Sequence, residues 1–102
     1  MPPVPAASPP PVPALHPSAS YSITMRVRLA QRPGSFARVA GAIGETGAIL
    51  GAIDLVRVAG GEVVRDVTVA CVDAGHSEAV ADAVGRLDGV TVERVSDLIA
   101  RS

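Results

Sequence analysis

Apolar and polar residues alternate without a break from Tyr21 to Leu29, and this pattern predicts a strand with one buried face. The segment Arg32-Pro33-Gly34 then makes a turn, because proline cannot continue a helix interior and glycine accommodates a tight bend. From Ser35 to Thr46 the apolar residues recur at helical spacing, which predicts a helix, and Gly47 suits its C-terminal end.

The rest of the chain continues this succession of strands and helices. The glycine pair Gly60-Gly61 is a hairpin signal between two apolar, β-branched runs, and Asp88-Gly89 turns the chain before a last apolar run. The pattern predicts a second strand over Ile49–Val58, a third over Val63–Val72, a second helix over His76–Leu87 and a fourth strand from Val90 to about Leu98.

The order β-α-β-β-α-β predicts an α+β fold, the ferredoxin-like plait. This fold is a four-stranded antiparallel sheet with both helices on one face and with the second and fourth strands at its edges. The second and third strands carry apolar residues at both odd and even positions, and therefore on both faces of each strand. The odd positions are Ile53, Leu55, Val67 and Val69, and the even positions are Val56, Val58, Val64 and Val72. We therefore expect the other sheet face, or an edge, to contact a partner. The alternative is a partly apolar open face without a partner.

The start of the chain differs in composition from the remainder. Residues 1–20 contain eight of the nine prolines and no Asp, Glu, Lys or Arg. Such a segment cannot bury enough apolar surface to offset its ordering entropy. We predict a disordered or polyproline-like arm over residues 1–20 and one folded domain over residues 21–102. The arm lacks the features of a signal peptide, and no run is long and apolar enough to span a membrane.

Size, charge and cysteine content narrow the range of partners. A folded part of about 80 residues has a small core, and oligomerisation commonly stabilises such a domain. The net charge is −1, so we expect neither nucleic acid nor a membrane surface as a partner. The single cysteine, Cys71, permits no internal disulfide and indicates a cytoplasmic protein.

The residues that other proteins of this fold use for chemistry are missing. Metal chaperones need a CxxC pair in the first loop, and residues 30–34 contain no cysteine. RNA-binding members need aromatic platforms on the sheet, whereas this chain has one Tyr, one Phe and no Trp. Acylphosphatase-like enzymes hold the attacking water with an Asn, and the chain contains none. We predict no catalytic residue, no metal site and no cofactor.

The remaining reactive or charged side chains are interpreted as structural. Cys71 lies in an apolar strand and is expected to be a small buried hydrophobe, and His76 is expected to be a solvated loop side chain. Four charged residues on the second and third strands could face one another, but an uncertain hairpin register leaves their pairing open; they are Asp54, Asp66, Arg57 and Arg65.

One candidate binding site remains, at the turn before the first helix. The turn delivers the backbone N–H groups of residues 34–37 at a helix start, where free donors and the helix dipole favour an anion. Arg32 would add positive charge. The alternative is a plain turn, because every helix has such an end.

The strand, the turn Arg32-Pro33-Gly34, the amphipathic helix, Gly47 and the apolar strand together resemble an ACT domain. The segments "YSITMRVRL", "RPGSFARVAGAIGETGA", "GAIDLVRV", "VVRDVTV" and "GVTVERVSD" resemble the N-terminal ACT region of bacterial NAD-dependent malic enzymes. The resemblance covers Tyr21 to Asp97, which is nearly all of the predicted domain.

ACT domains are plaits that bind amino acids or other small metabolites, usually between paired copies, and regulate attached enzymes. The resemblance therefore implies a non-catalytic regulatory module with a small-molecule effector and with a second copy, or an attached or docked enzyme domain, as its partner. It places the ligand in a groove formed by the turn and helix start, with the second strand as the opposite wall; the residues are Arg32, Pro33, Gly34, Ser35, Phe36, Ile49 and Leu50.

Two departures from the family pattern open alternatives. ACT sites often place Asn or Asp at the start of the second strand, and the matching residue here is Ile49. The domain could then be a purely structural assembly module with a decayed ligand site. The chain also has no G-x-G-x-x-G element and no lysine, so it could be a truncated N-terminal piece of an NAD-dependent malic enzyme, the enzyme class that oxidatively decarboxylates malate, without the catalytic domains.

Overall fold

The computed structural model describes residues 18–97, which form six elements in the predicted order. Their bounds are β1 Ser18–Ala30, α1 Ser35–Glu45, β2 Ile49–Ala59, β3 Glu62–Cys71, α2 Ala74–Gly85 and β4 Thr91–Asp97. β1 begins before the predicted start at Tyr21 because its ladder with β3 continues past a register shift to Ser18. Most of the predicted proline-rich arm lies outside the described residues, so the division of the chain at residue 20 stays a prediction.

The four strands form one antiparallel sheet in the order β2-β3-β1-β4. β2 and β4 are therefore the edge strands, and the predicted ferredoxin-like plait is confirmed. The alternating residues of β1 and β3 share one buried cluster with residues from both helices, so α1 and α2 cover the same face of the sheet. We call this face the helix side and the opposite face the open side.

The core follows directly from the alternation in β1. Four β1 side chains are at most 1% exposed and point to the helix side, where they meet apolar residues of β3, α1 and α2. These residues are Ile23, Met25, Val27 and Leu29 from β1, Val67 and Val69 from β3, and Val39, Ile43, Val80 and Val84 from the helices. Each such side chain contributes roughly 1.5–3 kcal/mol of transfer free energy, so this small cluster is the main stabilising feature of the domain.

Cys71 belongs to the same core and is fully buried, which confirms its interpretation as a small buried hydrophobe. Burial raises the pKa of the Cys71 thiol, because the interior disfavours the thiolate. The thiol is therefore kept in its unreactive protonated form.

A bulge in β2 corrects one sequence-based expectation. The pairing of β2 with β3 shifts by one residue from Leu55 to Arg57. Leu55 lies opposite Arg65 and Val58 lies opposite Val63, so both side chains are on the helix side. The expected opposite parity of Leu55 and Val58 was wrong because a bulge inserts an extra residue and moves the following side chains to the other face.

The open side carries paired charges. The Arg26 guanidinium on β1 donates to both carboxylate oxygens of Asp66 on β3, at 2.8 and 2.9 Å. This partner holds the pKa of the Asp66 carboxyl below its ordinary value, because the hydrogen bonds favour the ionised form. Arg28 lies 3.6 Å from Glu93 on β4. The open face beside β1 is therefore polar and internally compensated.

The interpretation of His76 as a solvated loop residue was wrong. α2 begins at Ala74, and Asp73 caps it by accepting the His76 backbone N–H at 2.8 Å. The backbone N–H of Val72 donates to His76 Nδ1 at 2.9 Å, so Nε2 carries the proton and donates to the Thr46 carbonyl at 2.8 Å. Because Thr46 is the C-cap of α1, the half-buried imidazole connects the end of α1 to the start of α2.

Candidate functional site

The turn between β1 and α1 is held by backbone hydrogen bonds. Gly34 has φ 84° and ψ −15°, the left-handed conformation that glycine adopts without a Cβ clash. The Ser35 N–H donates to the Arg32 carbonyl at 3.2 Å, and the Gln31 N–H donates to the Gly61 carbonyl at 2.9 Å. The turn is thus fixed to the hairpin between β2 and β3.

The start of α1 differs from the start of α2. No side chain caps α1 at Gly34, whereas Asp73 caps α2; neither helix has an acidic residue in its first turn. The first N–H groups of a helix have no partner inside the helix, so a start without a side-chain cap presents donors and a partial positive charge. This arrangement favours an anion near Ser35 and Phe36, as the sequence predicts, although many helices share it.

A pocket of about 340 Å³ lies beside this turn, and we call it the Phe36 groove. It brings together most of the turn and helix-start residues that the sequence analysis selected. It is lined by Leu29, Ala30, Gln31, Arg32, Pro33, Ser35, Phe36, Val63 and Arg65. Its walls therefore combine apolar side chains of the sheet and α1 with Gln31, Ser35 and two arginines.

A second pocket, of about 240 Å³, lies on the other side of the same turn between α1 and the loop that precedes β4. We call it the Asp88 groove. Gly34 lines this pocket, together with Arg38, Asp88 and Gly89. Arg32, Pro33 and Ser35 contribute to both pockets, so the turn separates two grooves of different charge.

Arg65 is the site residue that sequence reasoning missed. It lies on the helix side of β3, opposite Val27 on β1 and Leu55 on β2, whereas Asp66 lies on the open side and pairs with Arg26. The possible pairing of Arg65 with the strand carboxylates is therefore excluded by the register. The sequence did contain a signal for this position, because Arg65 is a charged residue on the strand face that carries the buried residues Val67 and Val69.

The Arg65 side chain is half-buried and contacts an aromatic ring. Its guanidinium carbon lies 6.0 Å from the centroid of the Phe36 ring, at the outer range of a cation–π interaction. Within residues 18–97 no carboxylate forms a salt bridge with Arg65, whereas Arg26 and Arg28 both have one. Arg65 is thus an arginine without a carboxylate partner in the wall of a groove.

Ile49 and Leu50 lie at the other end of the sheet from this groove. Ile49 pairs with Ala70 and Leu50 with Val69, whereas the groove includes Val63 near the start of β3. At about 3.3 Å per residue, the distance along β3 is roughly 20 Å. One chain alone does not bring the predicted opposite wall to the turn.

β2 leaves most of its apolar side chains uncovered. As an edge strand it also has one side without ladder hydrogen bonds to another strand of the sheet. Of the exposed large apolar residues, most lie on β2 and one on the opposite edge strand β4; they are Ile49, Ile53, Leu55 and Val58, and Val95 on β4. Leu55 is 58% exposed although it points to the helix side.

Two further features concern metals and membranes. No group of three His, Cys, Asp or Glu side chains among residues 18–97 is arranged to hold a metal ion. None of the helices in that range is long and apolar enough to cross a lipid bilayer.

Comparisons with known proteins give a sequence relative and a structural neighbour. No family model matches the chain. The chain is 32% identical over 84 residues to an NAD-dependent malic enzyme of Geobacillus stearothermophilus; the match covers 82% of the chain and 18% of that enzyme. The chain thus spans less than a fifth of the length of this relative.

A structural neighbour is the ACT domain from GTP pyrophosphokinase of Chlorobium tepidum. The TM-score is 0.59 at 15% identity, and the similarity covers 76% of this chain and 97% of that domain. At such low identity the likeness concerns the fold. The chain therefore has the fold of an ACT domain, and the resemblances stated from its sequence, to ACT domains and to malic enzymes, are confirmed.

Proposed function

We propose that this chain, which has the fold of an ACT domain, is a non-catalytic, cytoplasmic regulatory module. It binds a small amino-acid or carboxylate metabolite in the Phe36 groove and pairs with a second copy through β2. The observation that carries this proposal is the position of the groove, which lies at the end of the sheet where β2 finishes as an unpaired apolar edge.

Pairing through β2 accounts for the separation of the predicted site residues. Two copies related by a two-fold axis form an antiparallel β2–β2 contact, in which the start of one strand meets the end of the other. Ile49 and Leu50 of the second copy then lie near Val58 and Ala59, beside the Phe36 groove. The opposite wall of each site comes from the other copy, as the resemblance to ACT domains implies.

In this arrangement regulation is a population shift. A ligand that contacts both copies stabilises the pairing that places them correctly, because it binds that state better than the others. An attached or docked enzyme domain would respond to the change in the relative position of the two copies. The ligand needs no catalytic group for this role.

Pairing can be tested by measuring the mass of the protein in solution with light scattering after size-exclusion chromatography. We expect the chain, whose monomer mass is 10.3 kDa, to be a dimer. Leu55→Lys places a charge on the β2 edge and should give monomers. Val95→Lys, on the β4 edge, is the matched control and should leave the dimer intact. A wild-type monomer at high protein concentration would contradict the pairing.

Ligand binding can be tested by calorimetry of the folded dimer against amino acids and C4 dicarboxylates. Heat with any of these compounds, lost when Phe36 is replaced by Ala, supports the Phe36 groove as the site. If a folded dimer binds none of them, the second candidate described in the sequence analysis, a purely structural assembly module, is favoured. Ile49 is apolar and 56% exposed, and this observation supports that alternative.

A variant of Ile49 separates these two candidates. Ile49→Asn supplies the amide that ACT sites often have at this position. If it creates binding where the wild type shows none, the groove is a latent ligand site. If it changes nothing in a folded dimer, the structural role remains.

A further candidate is a regulatory piece of an NAD-dependent malic enzyme, supported by the match to the Geobacillus stearothermophilus enzyme. The chain would then act on a malic-enzyme catalytic region to which it is joined or docked. Its coding region can be sequenced on both sides for an in-frame or frameshifted catalytic region. Malate oxidation by that region should change when the chain is fused to it, and an unchanged rate would contradict this candidate.

A further inference from the structure

The two grooves differ in the charges that line them. The Phe36 groove has two arginines, Arg32 and Arg65, and no acidic residue among the described residues that line it. The Asp88 groove also has two arginines, Arg32 and Arg38, but includes the carboxylate of Asp88. The Phe36 groove is therefore the more positively charged of the two, and its charge is not compensated by its own lining.

Of these two arginines, Arg65 is half-buried whereas Arg32 is exposed. A guanidinium that is partly removed from water loses hydration free energy, and this cost is usually offset by a carboxylate partner. Arg26 and Arg28 have such partners on the open side, whereas Arg65 on the helix side contacts the Phe36 ring and, among residues 18–97, has no carboxylate partner. An anion in the groove would supply the missing partner, because guanidinium and carboxylate form two parallel hydrogen bonds.

Pairing through β2 would not add an acidic group to the groove. The carboxylate nearest to the middle of β2 is Asp54, which lies opposite Asp66 on the open side of the sheet. The residues that the second copy would bring, Ile49 and Leu50, are apolar. A ligand ammonium group would therefore meet two guanidinium groups and no carboxylate.

We propose that the Phe36 groove selects a small dicarboxylate over an amino acid. One carboxylate pairs with Arg65 and the other with Arg32 and the first N–H groups of α1, while the methylene groups between them contact Phe36 and Val63. This inference rests on the proposed function, since it names the ligand class of the same groove. An amino acid is disfavoured because its ammonium group is repelled by both arginines.

Three four-carbon compounds test the proposal by calorimetry on the full chain. Succinate has a carboxylate at both ends, butyrate has one carboxylate and a methyl group, and 4-aminobutyrate has one carboxylate and an ammonium group. We expect succinate to bind at least tenfold more tightly than butyrate, and 4-aminobutyrate to bind no better than butyrate. Serine is included as an ordinary amino acid and should bind more weakly than succinate.

Two arginine variants assign the effect to the groove. Arg65→Gln should weaken succinate binding at least tenfold, whereas Arg94→Gln, which makes the same charge change on the open side of β4, should leave it unchanged. Arg65→Lys keeps the charge without the planar fork and should lose less than Arg65→Gln. Thermal unfolding by circular dichroism confirms that each variant is folded before binding is measured.

The outcomes separate this inference from the proposed function. If serine or 4-aminobutyrate binds as tightly as succinate, or if Arg65→Gln binds succinate as the wild type does, the dicarboxylate selectivity is overturned while the regulatory function stands. If neither the amino acids nor the organic acids bind to the folded dimer, the ligand-binding function itself is overturned. Preference for succinate that is lost only in the Arg65 variants supports the inference.

Discussion

The two ends of the helix layer are built in opposite ways. At one end, His76 accepts from Val72 and donates to Thr46, and Asp73 caps α2, so the polar groups named there are matched. At the other end, α1 starts without a side-chain cap, and Arg65 lines the groove with no carboxylate partner in the described part of the chain. Because unmatched polar groups reduce stability, the contrast indicates that the His76 end maintains the fold, whereas the groove end is the one to which the proposed function assigns the ligand.

The largest expected effect comes from breaking the matched end. His76→Ala removes two part-buried hydrogen bonds and leaves the Val72 N–H and the Thr46 carbonyl without their partner. We expect a loss of about 2 kcal/mol in the free energy of unfolding, from roughly 1 kcal/mol per hydrogen bond. Urea unfolding measures it. Glu78→Ala, an exposed position on the same helix, is the control, and an equal effect of both variants would contradict the role of the imidazole.

A smaller effect is expected at the turn of the groove end. Gly34→Ala forces an L-residue to φ 84°, which costs about 1–2 kcal/mol even though the space around the added Cβ is open. Gly41→Ala is the matched control, since it also adds a methyl group in open space but within α1. We expect the control to stabilise the protein by about 0.5–1 kcal/mol in the same urea experiment. Destabilisation by both variants would show that backbone conformation is not the cause.

These residues also show how far the sequence determines the structure. Unbroken alternation in β1 is a local pattern, and it was sufficient to predict the strand, its buried face and, with the element order, the plait. The role of His76 was not predictable in this way, because one of its partners is Thr46, separated from it by 30 positions. Tertiary contacts of single polar side chains leave no periodic signal.

The candidate site was predictable only in part, for a related reason. The turn and the start of α1 are consecutive in the chain, so Arg32, Pro33, Ser35 and Phe36 come together without long-range information. The contribution of Arg65 depends on the register of β3, and a one-residue slip exchanges the two faces of a strand. The role proposed for Ile49 depends on a second copy, which the pattern of one chain does not describe.

Acid pH provides a third test, because the open side shows what a paired arginine contributes. The pKa of the Asp66 carboxyl is lowered by Arg26, so the stabilisation is present above the carboxyl pKa of an unfolded chain, about 3.9. It is lost as the pH falls through the lower folded-state pKa. As the pH is lowered below about 4, we expect the urea concentration at the unfolding midpoint to decrease. This decrease should be less steep in Asp66→Asn than in the wild type. Identical pH profiles of the two proteins would contradict this linkage.

The smallest expected effect on stability is that of Arg65→Gln. Because Arg65 has no carboxylate partner among residues 18–97, removing its charge should change the melting temperature little, or raise it slightly. Arg26→Gln removes the same charge from a paired arginine and should lower the melting temperature. A large destabilisation by Arg65→Gln would show that this side chain supports the fold instead of the groove.

The shape of β4 determines how far an assembly built through β2 can grow. β4 is the shorter edge strand, at 7 residues against 11, and its ladder with β1 has a register shift beside the charged residues Glu93 and Arg94. Short, charged and irregular edges resist the addition of further strands. Two sheets joined at β2 would expose only β4 at both outer edges. The pair would therefore be a closed particle, and self-association would stop before it produced fibrils.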